Sequence, residues 1–401
     1  MRILQILPKI PYPPVDGHTK SMWGVIKYLR QCGHEIDVIA YSQQKDFRND
    51  ISEIEKYAKL YPLDLITRNS IAGAVVNLFS KTPYNLSKYV RPELDSFISG
   101  HLKKNKYDII HITNAHMGWI VDRIRSLCDT PVVLRQENLE LTIMERYYKK
   151  QSNPLLKFYA YIQYRKFIKY EPVLCSRFDC VIMMSAEDER RLKRFNPHVK
   201  TVTIPLGIEK ELLEVNRTEI EKYSLVHIGS LDWYPNYDGF KWFVNCIFPA
   251  IVRKFKDVKL YHYGGGIPGK FFFPESVKDN IIVKGFVKDI FQELADKSLA
   301  IVPLRIGSGI RVKILELLAS GVNIVTTPMG MEGIPVENGK EILVAENELG
   351  FESLIIEFFD EKFDGKNISL KGKEFIKENY LWESIAEKFE DTYRKLLKGG
   401  E

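Results

Sequence analysis

The run Gly307-Ser308-Gly309-Ile310-Arg311-Val312-Lys313-Ile314-Leu315-Glu316 sets two glycines, two cations and a carboxylate close together in the chain. An anion is the partner such a set suits. Glycines let the backbone approach a ligand and turn its N–H groups toward it. A helix start adds the positive end of a dipole, and Arg311 and Lys313 add full charge. Glu316, further along, can accept hydrogen bonds from a pair of neutral hydroxyls such as those of a ribose. Diphosphate at one end and sugar hydroxyls at the other describe a nucleotide-sugar. Taken alone, the glycines are weak evidence; the combination with Arg311, Lys313 and Glu316 carries the reading.

These residues need a strand before them and a helix beneath them. The apolar run Leu299-Ala300-Ile301-Val302-Pro303-Leu304 reads as a buried strand, and Gly321 closes the helix that follows the loop. The same alternation runs through the chain. Strands are expected at 2–7, 35–41, 107–112, 130–134 and 178–185, with Ser185 capping the next helix, and again at 201–209. After that turn the pattern restarts, with strands at 225–229, 258–263, 280–283, 298–303 and 322–326. Continuous apolar strands separated by helices indicate parallel sheets covered on both faces. The last segment, 382–397, is amphipathic through Ile385, Phe389, Tyr393 and Leu396, so a terminal helix with one buried face is expected.

At 401 residues the chain has room for two cores. Hydrophobic residues at 45% and charged residues at 27% fit a globular protein. A net charge of +6 suits anionic substrates or an acidic membrane surface and is too small to argue for nucleic acid. Five scattered cysteines without CxxC pairs fit a reduced compartment. The opening MRILQILPKI enters a strand directly, and no stretch approaches the ~20 apolar residues of a membrane span. A cytoplasmic protein is expected, with any membrane contact peripheral and on the inner face. No Gly-x-Gly-x-x-Gly follows the first strand, which disfavours a dinucleotide oxidoreductase.

Several motifs, in order, resemble those of the retaining glycosyltransferase family 4 (glycosyl transferases group 1). Pro13-Pro14-Val15-Asp16-Gly17 resembles its glycine loop, and Gly33-His34-Glu35 its Gly-His-Glu before the second strand. Ile204-Pro205-Leu206-Gly207-Ile208 resembles its interdomain turn. Gly229-Ser230-Leu231-Asp232-Trp233, Gly285-Phe286-Val287-Lys288-Asp289 and the opening motif follow in the family's order. The resemblance covers nearly the whole chain. It implies an α/β protein of the GT-B fold, with two Rossmann-like parallel-sheet domains facing across a cleft. Residues 1–204 would form the acceptor-side domain, 205–380 the nucleotide-sugar-binding domain, and 381–401 a helix packing back on the first.

The activity implied is transfer of a sugar from a UDP- or GDP-sugar to a glycan or lipid-linked acceptor. Retention is implied, with neither metal nor cofactor, in cell-surface polysaccharide or glycoconjugate synthesis. Donor contacts would come from Gly17, Phe286, Asp289, Ser308, Gly309, Ile310, Arg311, Lys313 and Glu316, with Asp289 also capping a helix at Ile290. His116 and Glu137, each just past a strand end, would act on acceptor or reacting sugar. The pattern departs from the family at three places. Ser308 stands where the first of two glutamates is usual, Glu137 where a histidine is usual, and no cation follows Gly229. A sugar-nucleotide epimerase on the same fold and a non-catalytic glycan- or nucleotide-binding member are the alternatives. Residues 147–170 mix aromatics with cations, and fit either a helix packed on its own domain or a peripheral membrane contact.

Overall fold

The computed structural model describes residues 1–42, 52–65, 70–217, 219–266 and 273–399. It divides into two compact units, one of Met1–Gly207 with Trp382–Glu401 and one of Ile208–Leu381. Each is a parallel sheet wrapped by helices, the architecture its apolar strands demand.

The first unit has strands β1 (Arg2–Leu7), β2 (Glu35–Ser42), β3 (Lys59–Asp64), β4 (Ile109–Thr113), β5 (Val132–Gln136), β6 (Cys180–Met183) and β7 (Thr201–Thr203). They lie in the order β3-β2-β1-β4-β5-β6-β7, all parallel. Ile3, Leu4, Ile6, Ile110, Ile112, Val132 and Leu134 are fully buried, as strands covered on both faces require. The run expected as one strand over 201–209 is a strand only through Thr203. Pro205 has no N–H to give a ladder, and the chain turns away there. The stretch 147–170 is not one helix. Asn153 accepts hydrogen bonds from Leu155 N and Leu156 N, and Pro154 opens a new helix, so Glu140–Lys150 and Pro154–Cys175 form a hairpin.

The closing helix Trp382–Leu397 completes this unit. The Trp382 ring stacks on Tyr28, and it fills the space left by two glycines. A Cβ on Gly24 would stand 1.9 Å from Trp382 Cζ2, and one on Gly207 would stand 2.3 Å from Trp382 Cδ2. Further along, the buried Arg135 guanidinium lies under the Phe389 ring at 4.8 Å, and His111 Nδ1 lies 2.6 Å from the Tyr393 hydroxyl.

The second unit has β8 (Glu221–Ile228), β9 (Lys259–Tyr263), β10 (Ile281–Gly285), β11 (Lys297–Val302), β12 (Asn323–Thr326) and β13 (Leu343–Val344), in the order β10-β9-β8-β11-β12-β13. All pairings are again parallel. Its core gathers Phe240, Phe243, Phe248, Leu299, Ile301 and Phe351. In both units β1 or β8 lies near the middle of the sheet, and the order reverses beside it. Ligands of open parallel sheets bind beyond the carboxyl ends of strands at that reversal.

The seating of Trp382 gives a stability test. Gly24→Ala forces a methyl into the indole and should cost about 1–3 kcal/mol, read as a lower urea midpoint. Gly100→Ala, in the helix Pro92–Lys104 with nothing within 4 Å of the new methyl, should be neutral or stabilising. Equal midpoints for the two variants would refute the packing argument.

Candidate active site

At the carboxyl end of the second sheet, β11 leads through Gly307 and Gly309 into the helix Val312–Ser320. Gly307 has φ 148°, and a Cβ there would fall 2.4 Å from an Arg311 guanidinium nitrogen. The loop is braced from inside. Arg311 is buried, and its guanidinium donates to the carbonyls of Ser308 and Gly309, the latter at 2.6 Å. With those carbonyls drawn inward, the loop keeps a fixed shape ahead of the helix start.

Lys313 reaches across to β8. Its Nζ donates to the Ile228 carbonyl at 2.6 Å and to Asn236 Oδ1 at 2.9 Å, while Asn236 Nδ2 donates to the Ser230 carbonyl at 2.9 Å. Gly229, at φ 137°, makes this possible, since a Cβ there would lie 2.8 Å from Lys313 Nζ. Burial and the nearby Arg311 charge pull the Lys313 ammonium down to about 7, with Glu316 opposing them. His227 and His262 lie alongside, 3.0 Å apart through their Nδ1 atoms, and burial followed by the Lys313 charge favours their neutral forms. The residues read from the motif thus come together at the ends of β8 and β11: Ser308, Gly309, Ile310, Arg311, Lys313 and Glu316. Asn236, the partner of Lys313, comes from the helix Tyr234–Trp242. Phe286, just past β10, stands 78% exposed. Asp289 caps the short helix Ile290–Glu293 by accepting from Gln292 N at 3.3 Å.

The first unit gathers a second set at the ends of β1, β4 and β5. Gly17 opens the helix Gly17–Gln31, capped by Asp16 with Thr19 in a reciprocal box. His18, next in line, places Nε2 2.9 Å from Glu137 Oε2 and 2.8 Å from Asn114 Nδ2. Burial would raise the Glu137 carboxyl, but His18, then Arg135 and the Ser21 hydroxyl, hold it below its ordinary value. Asn114 sits at φ 67°, ψ 148°, a region of backbone space that side chains rarely enter. Such strain costs on the order of 1–3 kcal/mol and gathers at functional sites. The Glu137 amide donates to Asn114 Oδ1 at 3.3 Å, so strained residue and carboxylate are tied together.

His116 joins this cluster from the short helix Ala115–Gly118, with Nε2 4.0 Å from Glu140 Oε1. Beneath them Glu171 accepts from Glu140 N at 3.0 Å, Leu141 N at 2.8 Å and Gln136 Nε2 at 2.5 Å. Burial pushes Glu140 up to about 7, and burial with the Glu140 charge pushes Glu171 up to about 8. Burial, helped by His18 and Lys88, pulls His116 down to about 4. Near neutral pH this corner therefore holds one firmly ionised carboxylate, two carboxyls close to their midpoint and a neutral imidazole. Such a set can orient hydroxyls and move a proton. The motif reading did not single out His18, Asn114, Glu140 or Glu171. The Gly17-His18 doublet at a helix start was the available signal for the first of them.

Two parallel-sheet α/β domains, the second with a cation-lined loop entering a helix, make up the architecture of the GT-B fold. Residues 15–212 match the family described as Glycosyltransferase Family 4, and residues 222–360 match Glycosyl transferases group 1. The chain belongs to this family of glycosyltransferases. An "Uncharacterized 44.6 kDa protein in cps region" of Klebsiella pneumoniae is 21% identical over 94% of this chain and 96% of its own length. Among solved structures, sucrose-phosphate synthase from Thermosynechococcus elongatus superposes with a TM-score of 0.75 at 15% identity, covering 100% of both chains. Anabaena Alr3699/HepE in complex with UDP superposes with a TM-score of 0.70 at 12% identity, covering 98% of this chain and 100% of its own. At these identities the structures establish the fold.

The two raised carboxyls make stability depend on pH. A carboxyl whose folded value lies above its unfolded one contributes stability in full below pH ~4.5 and loses it as pH rises through about 7–8. Glu140→Gln keeps the shape without the charge. Its melting temperature should match the wild type at pH 5 and exceed it at pH 8.5. A constant difference at both pH values would mean that Glu140 does not titrate in this range.

Proposed function

We propose that the chain moves a sugar from a UDP- or GDP-sugar to a glycan or lipid-linked acceptor, with retention at the anomeric carbon. We place the reaction in cell-surface polysaccharide or glycoconjugate synthesis. The observation that carries the proposal is the convergence of Arg311, Lys313, Glu316 and the start of the helix Val312–Ser320 at the carboxyl ends of β8 and β11. A leaving nucleoside diphosphate gains negative charge as the glycosidic bond breaks. Fixed N–H dipoles and two cations are suited to hold it, with no metal needed in the scheme. The HepE structures in complex with UDP and with UDP-glucose support the same ligand class on this fold.

Roles follow from chemistry. Glu316 takes ribose hydroxyls, and Lys313 and the loop N–H groups take the diphosphate. Arg311 supplies charge while holding Ser308, Gly309 and Ile310 in place. Ser308 offers the donor sugar a neutral hydroxyl, and Phe286 an aromatic face for the base. Asp289 fixes the turn after Phe286, and Gly17 leaves room at the start of its helix. Glu137, held ionised by His18, orients acceptor or reacting sugar, and neutral His116 assists it. Acceptor-dependent release of nucleotide distinguishes this from an epimerase, which needs the donor alone.

Calorimetry tests the donor half. Glu316→Gln should weaken uridine and UDP alike, and Lys313→Met should weaken UDP while sparing uridine, each by one to two orders of magnitude for a lost charged hydrogen bond of roughly 1.5–3 kcal/mol. Unchanged UDP and GDP affinity in both variants would refute the site. UDP should also bind with proton uptake, because a diphosphate restores the proton that Lys313 loses at about pH 7. Affinity should fall as pH rises above 7, and a flat profile for wild type would exclude Lys313 from the anion contact.

The acceptor half rests on Glu137. Glu137→Gln should lower kcat by roughly 10²–10⁴-fold with UDP affinity nearly intact. A lower melting temperature with unchanged turnover per folded molecule would make Glu137 structural.

A further inference from the structure

The helix Ile71–Asn77 is built inside out. Its polar residue, Asn77, is buried, and its apolar residues face away from the protein. Asn77 is held by the helix Pro154–Cys175: Gln163 Nε2 donates to Asn77 Oδ1 at 3.1 Å, and Lys166 Nζ donates to the Asn77 carbonyl. That anchorage fixes which side of the helix looks outward. Ile71, Val75 and Phe79, spaced four apart, share that side with Val76; Ile71 is 87% and Phe79 92% exposed. The other end of the helix is fixed too, because the Tyr84 hydroxyl donates to the Ser70 carbonyl at 3.1 Å and Tyr84 N donates to Gln163 Oε1 at 2.9 Å.

The hairpin beside it repeats the pattern. The first residues of the helix Pro154–Cys175 stand clear of the core, with Leu155 80% exposed and Leu156 and Phe158 also in solvent. Tyr147 and Tyr161 add exposed rings on the two arms of the hairpin. Soluble surfaces rarely leave so many large apolar side chains together without a partner.

The charge pattern indicates which partner. Residues 70–91 and 147–170 contain no aspartate or glutamate, yet carry three and six lysines and arginines respectively. The net charge of the chain is +6, so its whole positive excess lies in these two segments. Lys81 and Lys157 are exposed within them. Aromatic and aliphatic side chains at headgroup depth, with cations toward anionic lipid, are the features of an interfacial contact. No described helix is long and apolar enough to cross a bilayer, so the contact would lie on the surface. We propose that the outward faces of Ile71–Phe79 and of the hairpin tip around Leu155–Phe158 seat the protein on an anionic lipid membrane.

Flotation of the full chain with vesicles tests this, using phosphatidylcholine alone and phosphatidylcholine mixed with phosphatidylglycerol. The protein should float with the anionic vesicles only, and less at high salt. The triple variant Phe79→Ser, Leu155→Ser, Phe158→Ser removes apolar groups that stand mostly in solvent, and should weaken binding on the order of a hundredfold. Lys157→Ala should weaken it about fivefold. Thermal shift by UDP should stay at the wild-type value in every variant, which separates this proposal from the donor site. Absence of flotation, equal binding to neutral vesicles, or a triple variant that binds like wild type would overturn it. So would a concentration-dependent dimer that the triple variant abolishes, because the face would then join two copies of the chain.

Discussion

A parallel sheet covered by helices on both faces offers solvent only its strand ends, and this constraint shapes everything chemical in the protein. Ile3, Ile6, Ile110 and Leu134 in the first sheet, and Leu225, Leu299 and Ile324 in the second, have no exposed surface. A polar group placed mid-strand is desolvated and needs a buried partner, as His111 of β4 has in Tyr393. The polar residues therefore accumulate where β1, β4 and β5 end in one unit and where β8 and β11 end in the other. Central position in the sheet matters as well. Neighbouring strands whose connections leave to opposite sides open a crevice between their loops, and the two clusters occupy those crevices.

The two units manage buried charge in opposite senses. The second concentrates cations: Arg311 is satisfied by carbonyls of its own loop, and Lys313 by a strand-end carbonyl and Asn236. The oxygens that hold Lys313 are a carbonyl and an amide, both neutral, so its ammonium can still attract an anion. The first unit concentrates carboxylates and grades them. Glu137 has a histidine at 2.9 Å and is held ionised, while Glu140 and Glu171 lie close together in a dry corner and favour the proton. Those two interact, so their protons leave as a coupled pair. A gradation of this kind divides labour between an ionised orienting group and groups that exchange protons near neutrality.

Sequence pattern disclosed the parts of the fold that repeat. Continuous apolar runs exposed the α/β architecture, and Gly307 through Gly321 marked the loop and helix at the end of β11. Strands with weak signals escaped. Lys59–Asp64 contains Pro62 and only partly buried residues, and it survives as an edge strand where a missing N–H does no harm. Leu343–Val344 is too short to show a period. The site was legible where chemistry is local, as along the helix Val312–Ser320. Partnerships such as His18 with Glu137, or Lys313 with Asn236, join residues distant in sequence and leave no trace in spacing. The direction of Arg311 was also hidden, since a cation beside a glycine loop can face a ligand or its own carbonyls. The inverted helix Ile71–Asn77 shows the limit of hydrophobicity as a guide. Its apolar residues suggest burial, and only the anchorage of Asn77 reveals that they face out.

Arg311 also bears on how such a loop would read a sugar. Because the guanidinium binds the carbonyls of Ser308 and Gly309, the backbone of these residues is fixed before any ligand arrives, and the ordering entropy is met during folding. A serine on a rigid loop offers one donor and two acceptor positions and no charge. A carboxylate there would bind sugar hydroxyls more strongly but would also repel the diphosphate beside it. On the proposed reading, Ser308 lowers that repulsion at the expense of a charged contact to the sugar. Selectivity then falls more heavily on the shape of the loop than on a single ionic hydrogen bond. The brace from Arg311 is what makes shape a usable criterion, since a loose glycine loop would adapt to any sugar placed against it.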